Sequence, residues 1–380
     1  MKRIVIAAGG GGDPIAAAMV GAALYGSVEP VLVLTYAWER LTVDPLPGPR
    51  GRADFAGLES PRPHLELVTG STTLVGAAGS SLPRLAADLG TALGLLDPAE
   101  GAVGLARTIR AAAEYCGAGH VDVVDVGGGI LATGDEPTLR SPLGDALVLA
   151  ACARTGLAAD VWIAGPALDR ELPEAELFAR LPEPAFALTD AHVRPVRRVF
   201  GWHPSEAGAM LAAAARGVRG LCGIRDVADP VRLDGRSAGV HRLALGQALA
   251  LNPLAGRLAD CATLDEAERA ALAVCGFSEL ARERDRARAI GLARAGGGAP
   301  STGLAPAAAS AAAPAGGPGP VERYARWRAG LARQGLTLAT RRRVIEELAL
   351  DAAEARRLHA RLAADPAQDA TPLWRLDTPA

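Results

Sequence analysis

The chain has 380 residues, of which 49% are hydrophobic and 4% aromatic, and its formal net charge is −2. This composition excludes a disordered chain, and it provides no global basic field that would make nucleic acid an expected partner. The apolar runs are too short to span a membrane and the first residues do not match a secretory signal peptide, so we expect a cytoplasmic protein.

The use of lysine and cysteine excludes several chemistries. Lys2 is the single lysine, which excludes a Walker A loop with its Gly-Lys pair and a pyridoxal-phosphate enzyme with its core lysine. The five cysteines are widely spaced and form no CxxC pair, which indicates reduced core thiols and no zinc site of the usual spacing.

The first element combines a strand, a glycine loop and a helix start. A strand is predicted over residues 3–8, and a helix over 14–24 follows the turn made by Gly9, Gly10, Gly11, Gly12 and Asp13. Consecutive glycines let backbone N–H groups approach an anion, and the helix N-terminus adds positive potential. We predict that this loop binds a phosphate or another anion. The alternative is a tight turn without a ligand, with Asp13 as the helix N-cap.

The second strand is predicted over residues 31–36 and leads to Glu39. An acidic residue at this distance from a glycine loop is where dinucleotide-binding folds hold ribose hydroxyls, so Glu39 is a candidate ligand contact. It could instead pair with Arg40 or lie on the surface. Residues 44–63 are predicted to form a long loop; a strand over 65–69 and helices over 82–95 and 102–116 come next.

An acidic cluster follows the strand predicted over residues 121–126. Asp125 ends this strand, a second glycine loop follows, and Asp145 lies one turn into the helix predicted over 143–155. Carboxylates at the carboxyl end of a strand build metal or general-base sites in such folds, so we predict catalytic roles for Asp125 and Asp145. Gly127, Gly128 and Ser141 are further candidates for ligand binding. If a metal such as Mg²⁺ binds, the candidate ligands are Asp125, Asp135 and Asp145. Alternatively, Asp125 binds loop amides, Ser141 caps the helix and Arg140 supplies the compensating charge.

The remaining elements of the first 290 residues continue the alternation. Strands are predicted over 159–164 and 220–225, and helices over 204–216 and 264–274. Asp169 and Glu171 follow the first of these strands and face the same edge, while His203 lies at a helix start, where it could act as an acid or base or serve a structural role. Apolar strands separated by helices predict a doubly wound, mostly parallel, Rossmann-like α/β domain over residues 1–290.

The composition changes near residue 291. Residues 291–320 are rich in Gly, Ala and Pro and are predicted to form a flexible linker. Helices over 321–333 and 338–362 would form an α-helical hairpin within 321–364, followed by a tail over 365–380. The hairpin could dock on the core or pair with a second copy in a homo-oligomer. The run Arg341–Arg343 is interpreted as a solvated helix start.

The glycine loop, Trp38-Glu39-Arg40, the Asp125-Val126-Gly127-Gly128 loop and Pro204-Ser205-Glu206 together resemble the family catalogued as domain of unknown function 1152. The resemblance covers about residues 1–290 and implies a Rossmann-like fold without assigning an activity. Gly129 stands where the resemblance leads us to expect an acidic residue, which argues against a metal site that depends on that position.

These observations predict a small-molecule enzyme, a transferase or a hydrolase, that acts on a nucleotide-like or phosphorylated metabolite held by the glycine loop. A nucleotide and Mg²⁺ are the candidate cofactors. The alternative is a non-catalytic ligand-binding or regulatory protein whose C-terminal helices serve as a dimerisation or output element.

Overall fold

The computed structural model describes residues 3–26, 31–225, 227, 229–295, 319–365, 368 and 371–377. The strands within these ranges are β1 (Arg3–Ala7), β2 (Val31–Tyr36), β3 (Phe55–Ala56), β4 (Glu59–Arg62), β5 (Leu65–Val68), β6 (Thr73–Leu74), β7 (Leu93–Leu96), β8 (His120–Val126), β9 (Ala158–Ala164), β10 (Phe186–Ala187), β11 (Gly220–Gly223), β12 (Val231–Leu233), β13 (Gly239–Ala244), β14 (Leu338–Ala339) and β15 (Trp374–Arg375).

The helices within the same ranges are α1 (Asp13–Tyr25), α2 (Leu82–Leu89), α3 (Gly101–Cys116), α4 (Pro142–Thr155), α5 (Glu174–Arg180), α6 (Asp190–Val193), α7 (Glu206–Ala215), α8 (Leu245–Leu251), α9 (Pro253–Leu258), α10 (Leu264–Cys275), α11 (Glu279–Ala295), α12 (Pro320–Arg333), α13 (Arg341–Glu347) and α14 (Ala352–Ala363). Over the described part of the chain, no helix combines the length and the apolar character that crossing a membrane requires.

A nine-stranded sheet forms the centre of the molecule, in the order β10-β13-β9-β8-β1-β2-β7-β5-β4. The neighbours from β9 to β7 all pair in parallel. At both edges the remaining strands pair antiparallel with their neighbours. The protein is therefore a mixed α/β structure with a large, mostly parallel central sheet.

Helices cover both faces of this sheet because its central strands are apolar on both sides. In β1, Ile4 and Ile6 pack in one core cluster with residues of α3 and α4, while Val5 and Ala7 pack in the other with residues of α1 and α7. Successive side chains of a strand point to opposite faces, so a continuous apolar run requires cover on both.

Three of the predictions for the chain before residue 290 need correction. The segment predicted as a loop over 44–63 contains β3 and β4, and β4 is an edge strand of the central sheet. The helix predicted over 82–95 ends at Leu89, because Gly90 adopts a left-handed conformation that terminates it. Residues Leu93–Leu96 then form β7, a strand of the parallel core. The strand predicted over 220–225 is β11, which belongs to a separate four-stranded sheet with the order β12-β11-β14-β15.

The C-terminal segment joins the body through this second sheet, because β14 pairs in parallel with β11. Its second predicted helix, over 338–362, is divided into β14, α13 and α14. Ala349 takes a left-handed backbone conformation with φ 48°, and Asp351 starts α14 with a capping box. Within the predicted linker, 291–320, α11 continues to Ala295 and residues 296–318 lie outside the described ranges, as do parts of the predicted tail.

Candidate functional site

A cavity of about 210 Å³ opens at the carboxyl ends of β1 and β8. These two strands are neighbours, but β1 is followed by β2 on one side and β8 by β9 on the other, which is the crevice where open α/β sheets bind ligands. Among the lining residues that the structure describes, nine carboxylates outnumber five arginines: Asp13, Glu39, Asp125, Asp145, Asp169, Glu171, Glu206, Glu279 and Glu283 against Arg40, Arg140, Arg225, Arg286 and Arg342.

The glycine loop lines one wall of this cavity and requires glycine for steric reasons. A Cβ atom on Gly10 would lie 2.6 Å from the Cβ of Trp38, and one on Gly12 would overlap Ser205. The N–H groups of Gly10, Gly11 and Gly12 have no acceptor among the residues that the structure describes. Gly12, and not Asp13, occupies the N-cap position of α1. The loop therefore presents free donors in front of a helix N-terminus.

Asp13, Asp125 and Asp145 form the acidic centre of the cavity. Each contributes a carboxylate oxygen, and these oxygens lie within 4.8 Å of one another. Asp13 follows the glycine loop, Asp125 ends β8, and Asp145 lies in the first turn of α4. Asp125 accepts a 2.8 Å hydrogen bond from the Gly128 N–H. Asp145 is only 6% exposed, and its carboxylate makes no hydrogen bond or ion pair with any described residue.

The electrostatics of this centre oppose three simultaneous negative charges. Burial raises the pKa of Asp13 to about 7. Burial and the neighbouring charge of Asp13 raise the pKa of Asp125 to about 8. For Asp145, burial and then the charges of Asp125 and Asp13 raise the pKa well above its usual range. At neutral pH the centre therefore needs bound protons or a cation.

Asp169 lies against the same acidic centre. From the sequence, it was expected only to face this edge of the sheet, without a predicted function. Burial, followed by the charges of Glu171 and Asp125, raises its pKa well above the usual range. A Cβ on Gly127 would overlap the Asp169 carboxyl group, and one on Gly129 would lie 3.1 Å from Asp145. An acidic side chain at position 129 would thus crowd the existing carboxylates.

Gly127 and Gly128 have backbone φ angles of 104° and 105°, which favour glycine. Neither residue lines the cavity. They allow Asp169 and Leu177 to approach the backbone closely. Their role in this structure is to shape the loop behind the carboxylates.

Ser141 stands at the N-cap position of α4, but its side chain does not cap the helix. Its hydroxyl donates a 2.5 Å hydrogen bond to Glu171, and its N–H donates to the other oxygen of the same carboxylate at 3.0 Å. Arg140 also donates its N–H to Glu171 at 3.0 Å. The Arg140–Ser141 turn therefore fixes Glu171 at the cavity wall.

Glu39 and His203 meet through Ser81. Glu39, which is 3% exposed, accepts hydrogen bonds from the N–H and the hydroxyl of Ser81, and burial raises its pKa to about 6. His203 contacts the Ser81 hydroxyl through Nε2 at 3.2 Å and accepts the Ser205 N–H at Nδ1. Burial lowers the pKa of His203 to about 3, so the ring is neutral. Both its nitrogens thus hold neighbouring protein groups in place.

Asp135 lies apart from the cavity. It is exposed and accepts a hydrogen bond from the Thr133 hydroxyl. Its neighbour Glu136 is buried and pairs with Arg180 at 2.9 Å. Although burial raises the pKa of Glu136, hydrogen bonds from the Thr133 N–H and Arg180 outweigh it and lower the pKa to about 2.

Residues far along the chain complete the site. Glu279, at the start of α11, is buried and accepts a 3.3 Å hydrogen bond from the Leu143 N–H. Arg342 of α13 lines the mouth and pairs with Glu206 at 3.3 Å. Arg40 lines the cavity, and its guanidinium makes no hydrogen bond or ion pair within the described ranges. No local motif marks Glu279, because its position depends on how α11 packs.

The comparisons with known proteins place the chain in a family. The model of the family described as Protein of unknown function (DUF1152) matches residues 4–287. The chain belongs to this family. The match contains every lining residue named above except Arg342, which lies in the C-terminal segment beyond it. No curated protein and no solved structure matches the chain.

Proposed function

We propose that this protein is an enzyme that transfers or hydrolyses a group on a phosphorylated or nucleotide-like small molecule bound in the cavity. The observation that carries this proposal is the meeting of anion-binding groups and buried carboxylates in one small cavity. The first can hold a phosphate, and the second can orient a nucleophile.

The anion-binding groups come from three helix N-termini. Gly12, Ser141 and Ser205 occupy the N-cap positions of α1, α4 and α7, and all three line the cavity. Each N-terminus carries about half a positive charge. At α4 and α7 the N–H groups of Ser141 and Ser205 already donate to Glu171 and His203, so the exposed N–H groups that an anion needs are those of the glycine loop before α1. The guanidinium of Arg40, which has no hydrogen-bond partner among the described residues, adds a further donor. This arrangement supports phosphate binding.

The parallel strands support a nucleotide-like ligand. The five parallel strands lie side by side in the order β7-β2-β1-β8-β9. If these five alone are numbered along the chain, the order is 3-2-1-4-5, as in Rossmann-like folds that bind nucleotides at the switch point. The cavity, at about 210 Å³, is smaller than the roughly 300–1,000 Å³ of pockets for drug-sized ligands. Its size favours a phosphorylated metabolite or one part of a nucleotide over an entire dinucleotide.

The carboxylates provide the chemistry. Asp125 or Asp145 would orient the attacking group or bind a cation, and Asp169, whose carboxyl group lies beside theirs, would donate or accept a proton. In hydrolysis, the water oxygen bonds to the electrophilic atom, the bond to the leaving group breaks, and a carboxylate accepts the proton of the water. The neutral His203 would act as a positioning residue, through Ser81 and Ser205.

A second candidate function is non-catalytic ligand sensing, and the position of Arg342 favours it. This side chain reaches the cavity mouth from α13, so a bound ligand would contact the C-terminal segment directly. Under this alternative the segment reports ligand binding to a partner or to a second copy of the chain.

A thermal-shift screen tests the proposal. The purified chain is heated with nucleotides, nucleosides, sugar phosphates and inorganic phosphate, each with and without Mg²⁺. A ligand at about 100 times its Kd should stabilise the protein by about 2.7 kcal/mol. We expect a shift with one phosphorylated class, and the matching non-phosphorylated compounds should give none. If no phosphorylated probe shifts the midpoint, the proposal fails.

Two variants then separate catalysis from sensing. Asp125→Asn should bind the ligand found by the screen as the wild type does when both are measured without Mg²⁺, but it should lose turnover, whereas Asp135→Asn, which changes an aspartate outside the cavity, should keep both. Binding without any turnover by the wild-type chain would favour the sensing function instead.

A further inference from the structure

We propose that Asp13, Asp125 and Asp145 form a binding site for one hard divalent cation that prefers oxygen ligands, such as Mg²⁺, Mn²⁺ or Ca²⁺. This inference concerns the same cavity but does not rest on the proposed function, because a cation can bind there without an organic ligand. It replaces the exposed Asp135 of the sequence prediction with Asp13.

The geometry fits a single ion. Oxygen ligands on opposite sides of an ion lie about 4.2 Å apart for Mg²⁺ and about 4.8 Å apart for Ca²⁺, from metal–oxygen distances of about 2.1 and 2.4 Å. The carboxylate oxygens of the three aspartates lie within 4.8 Å of one another. They come from three segments that the neighbouring strands β1 and β8 hold in place, so the separation is set by the sheet.

Asp145 gives the second, independent argument. Its side chain is 6% exposed, points to the other two carboxylates, and has no hydrogen-bond donor or cation among the described residues. Buried charged groups are normally paired or coordinate metals. The largest charge effects on Asp145 come from Asp125, Asp13, Glu171 and Glu279, all of them acidic. The protein thus leaves this carboxylate without the positive partner that a structural role would require.

The donor set selects the class of ion. Three carboxylates with no thiolate or imidazole among them are oxygen ligands, which suit Mg²⁺, Mn²⁺ and Ca²⁺ rather than zinc. His203, the histidine in the cavity wall, has both ring nitrogens bonded to Ser81 and Ser205. Waters or ligand oxygens would complete the coordination in the space of the cavity.

Titration of the full-length chain with Mn²⁺, followed by electron paramagnetic resonance, tests the site. After chelator treatment and desalting, the wild-type chain should bind one Mn²⁺, and Mg²⁺ should displace it. Asp145→Asn should weaken Mn²⁺ binding by roughly 100-fold, because it removes one of three charged ligands. Asp122→Asn is the matched control, since it changes a buried aspartate at the other end of β8 that already has protein partners, and it should bind Mn²⁺ like the wild type.

Asp13→Asn provides a second ligand variant, so the test does not depend on the folding of Asp145→Asn. No Mn²⁺ binding by the wild-type chain, or unchanged binding by both ligand variants, would overturn the cation site. Binding of a phosphorylated probe in the absence of any Mn²⁺ site would leave the proposed function intact. Mn²⁺ binding without binding of any phosphorylated probe would support the cation site and overturn the proposed function.

Discussion

Two groups of carboxylates lie at opposite ends of strand β8. At its amino end, Asp122 and Asp160 lie beside His120, with side-chain atoms that also lie within 4.8 Å of one another. At its carboxyl end, Asp125 lies with Asp13 and Asp145. Each cluster contains three residues. The clusters differ in whether other protein groups donate hydrogen bonds or positive charge to their carboxylates.

The amino-terminal cluster is satisfied by the protein. Asp122 accepts hydrogen bonds from the Tyr25 hydroxyl and, at 2.7 Å, from the Trp162 indole. Asp160 pairs with Arg242 at 2.9 Å, and His120 contacts both aspartates. In the carboxyl-terminal cluster, Asp125 accepts from the Gly128 N–H, whereas Asp145 has no donor among the described residues. A carboxylate with protein partners stabilises the fold, whereas one without them is available to a ligand and costs stability in its absence.

Asp122→Ala should have the largest effect, because it leaves the buried Trp162 N–H and the Tyr25 hydroxyl without an acceptor. Each unsatisfied group costs about 1–3 kcal/mol, so we expect a loss of roughly 3 kcal/mol in the free energy of unfolding. Urea denaturation in the presence of chelator measures it. A loss below about 0.5 kcal/mol would remove the structural role of this cluster.

Asp145→Asn should act in the opposite direction. It removes a buried charge that faces only other carboxylates, so the metal-free chain should gain roughly 1–2 kcal/mol in the free energy of unfolding. The same urea series measures this gain. A loss of stability would show that Asp145 has a stabilising partner and would make the two clusters alike.

Glu136→Gln gives an intermediate effect with a defined pH dependence. The pKa of Glu136 falls from its usual value of 4.5 to about 2 in the folded chain, so its ionised form stabilises the fold above pH 4.5 and this contribution is lost as the pH falls through about 2. We expect the variant to lose about 1 kcal/mol at neutral pH. Unfolding experiments at several pH values should show this difference shrinking toward pH 2; a difference that grows in acid would contradict the assignment.

Asp160→Asn should have the smallest effect. Its partner Arg242 keeps 58% of its side chain exposed, and such surface pairs contribute about 0–1 kcal/mol. We expect a change of about 0.5 kcal/mol or less that decreases further in high salt. A loss as large as that of Asp122→Ala would show that both aspartates support the fold equally.

The sequence predicted the parts of this site that local patterns encode. The β1 strand, the turn at Gly9–Gly12 and the helix that starts near Pro14 were all predicted, because strand, glycine and helix signals follow one another without a gap. Asp125 and Asp145 were chosen for their position after a buried strand, and the structure brings them together.

What the sequence missed depends on contacts between distant segments. Strand β7 was read as the end of a helix, because Leu93-Gly94-Leu95-Leu96 has no β-branched residue and only its pairing with β2 makes it a strand. Asp135 was named as the metal candidate because it lies near Asp125 and Asp145 in the sequence, whereas Asp13 was named only with the glycine loop. The fold shows that Asp13 faces the cavity and that Asp135 is exposed. Glu279 reaches the site through the packing of α11, which no motif predicts.

The most direct test of a shared ligand and cation site is the affinity of the wild-type chain for its best phosphorylated probe, measured by calorimetry with Mg²⁺ and with chelator. Nine carboxylates against five arginines line the cavity, so a phosphate should bind well only when a cation offsets the negative charge. We expect binding to strengthen at least about tenfold with Mg²⁺, a coupling of about 1.4 kcal/mol, and Asp145→Asn to lose this gain. Equal affinity with and without Mg²⁺ would contradict the account.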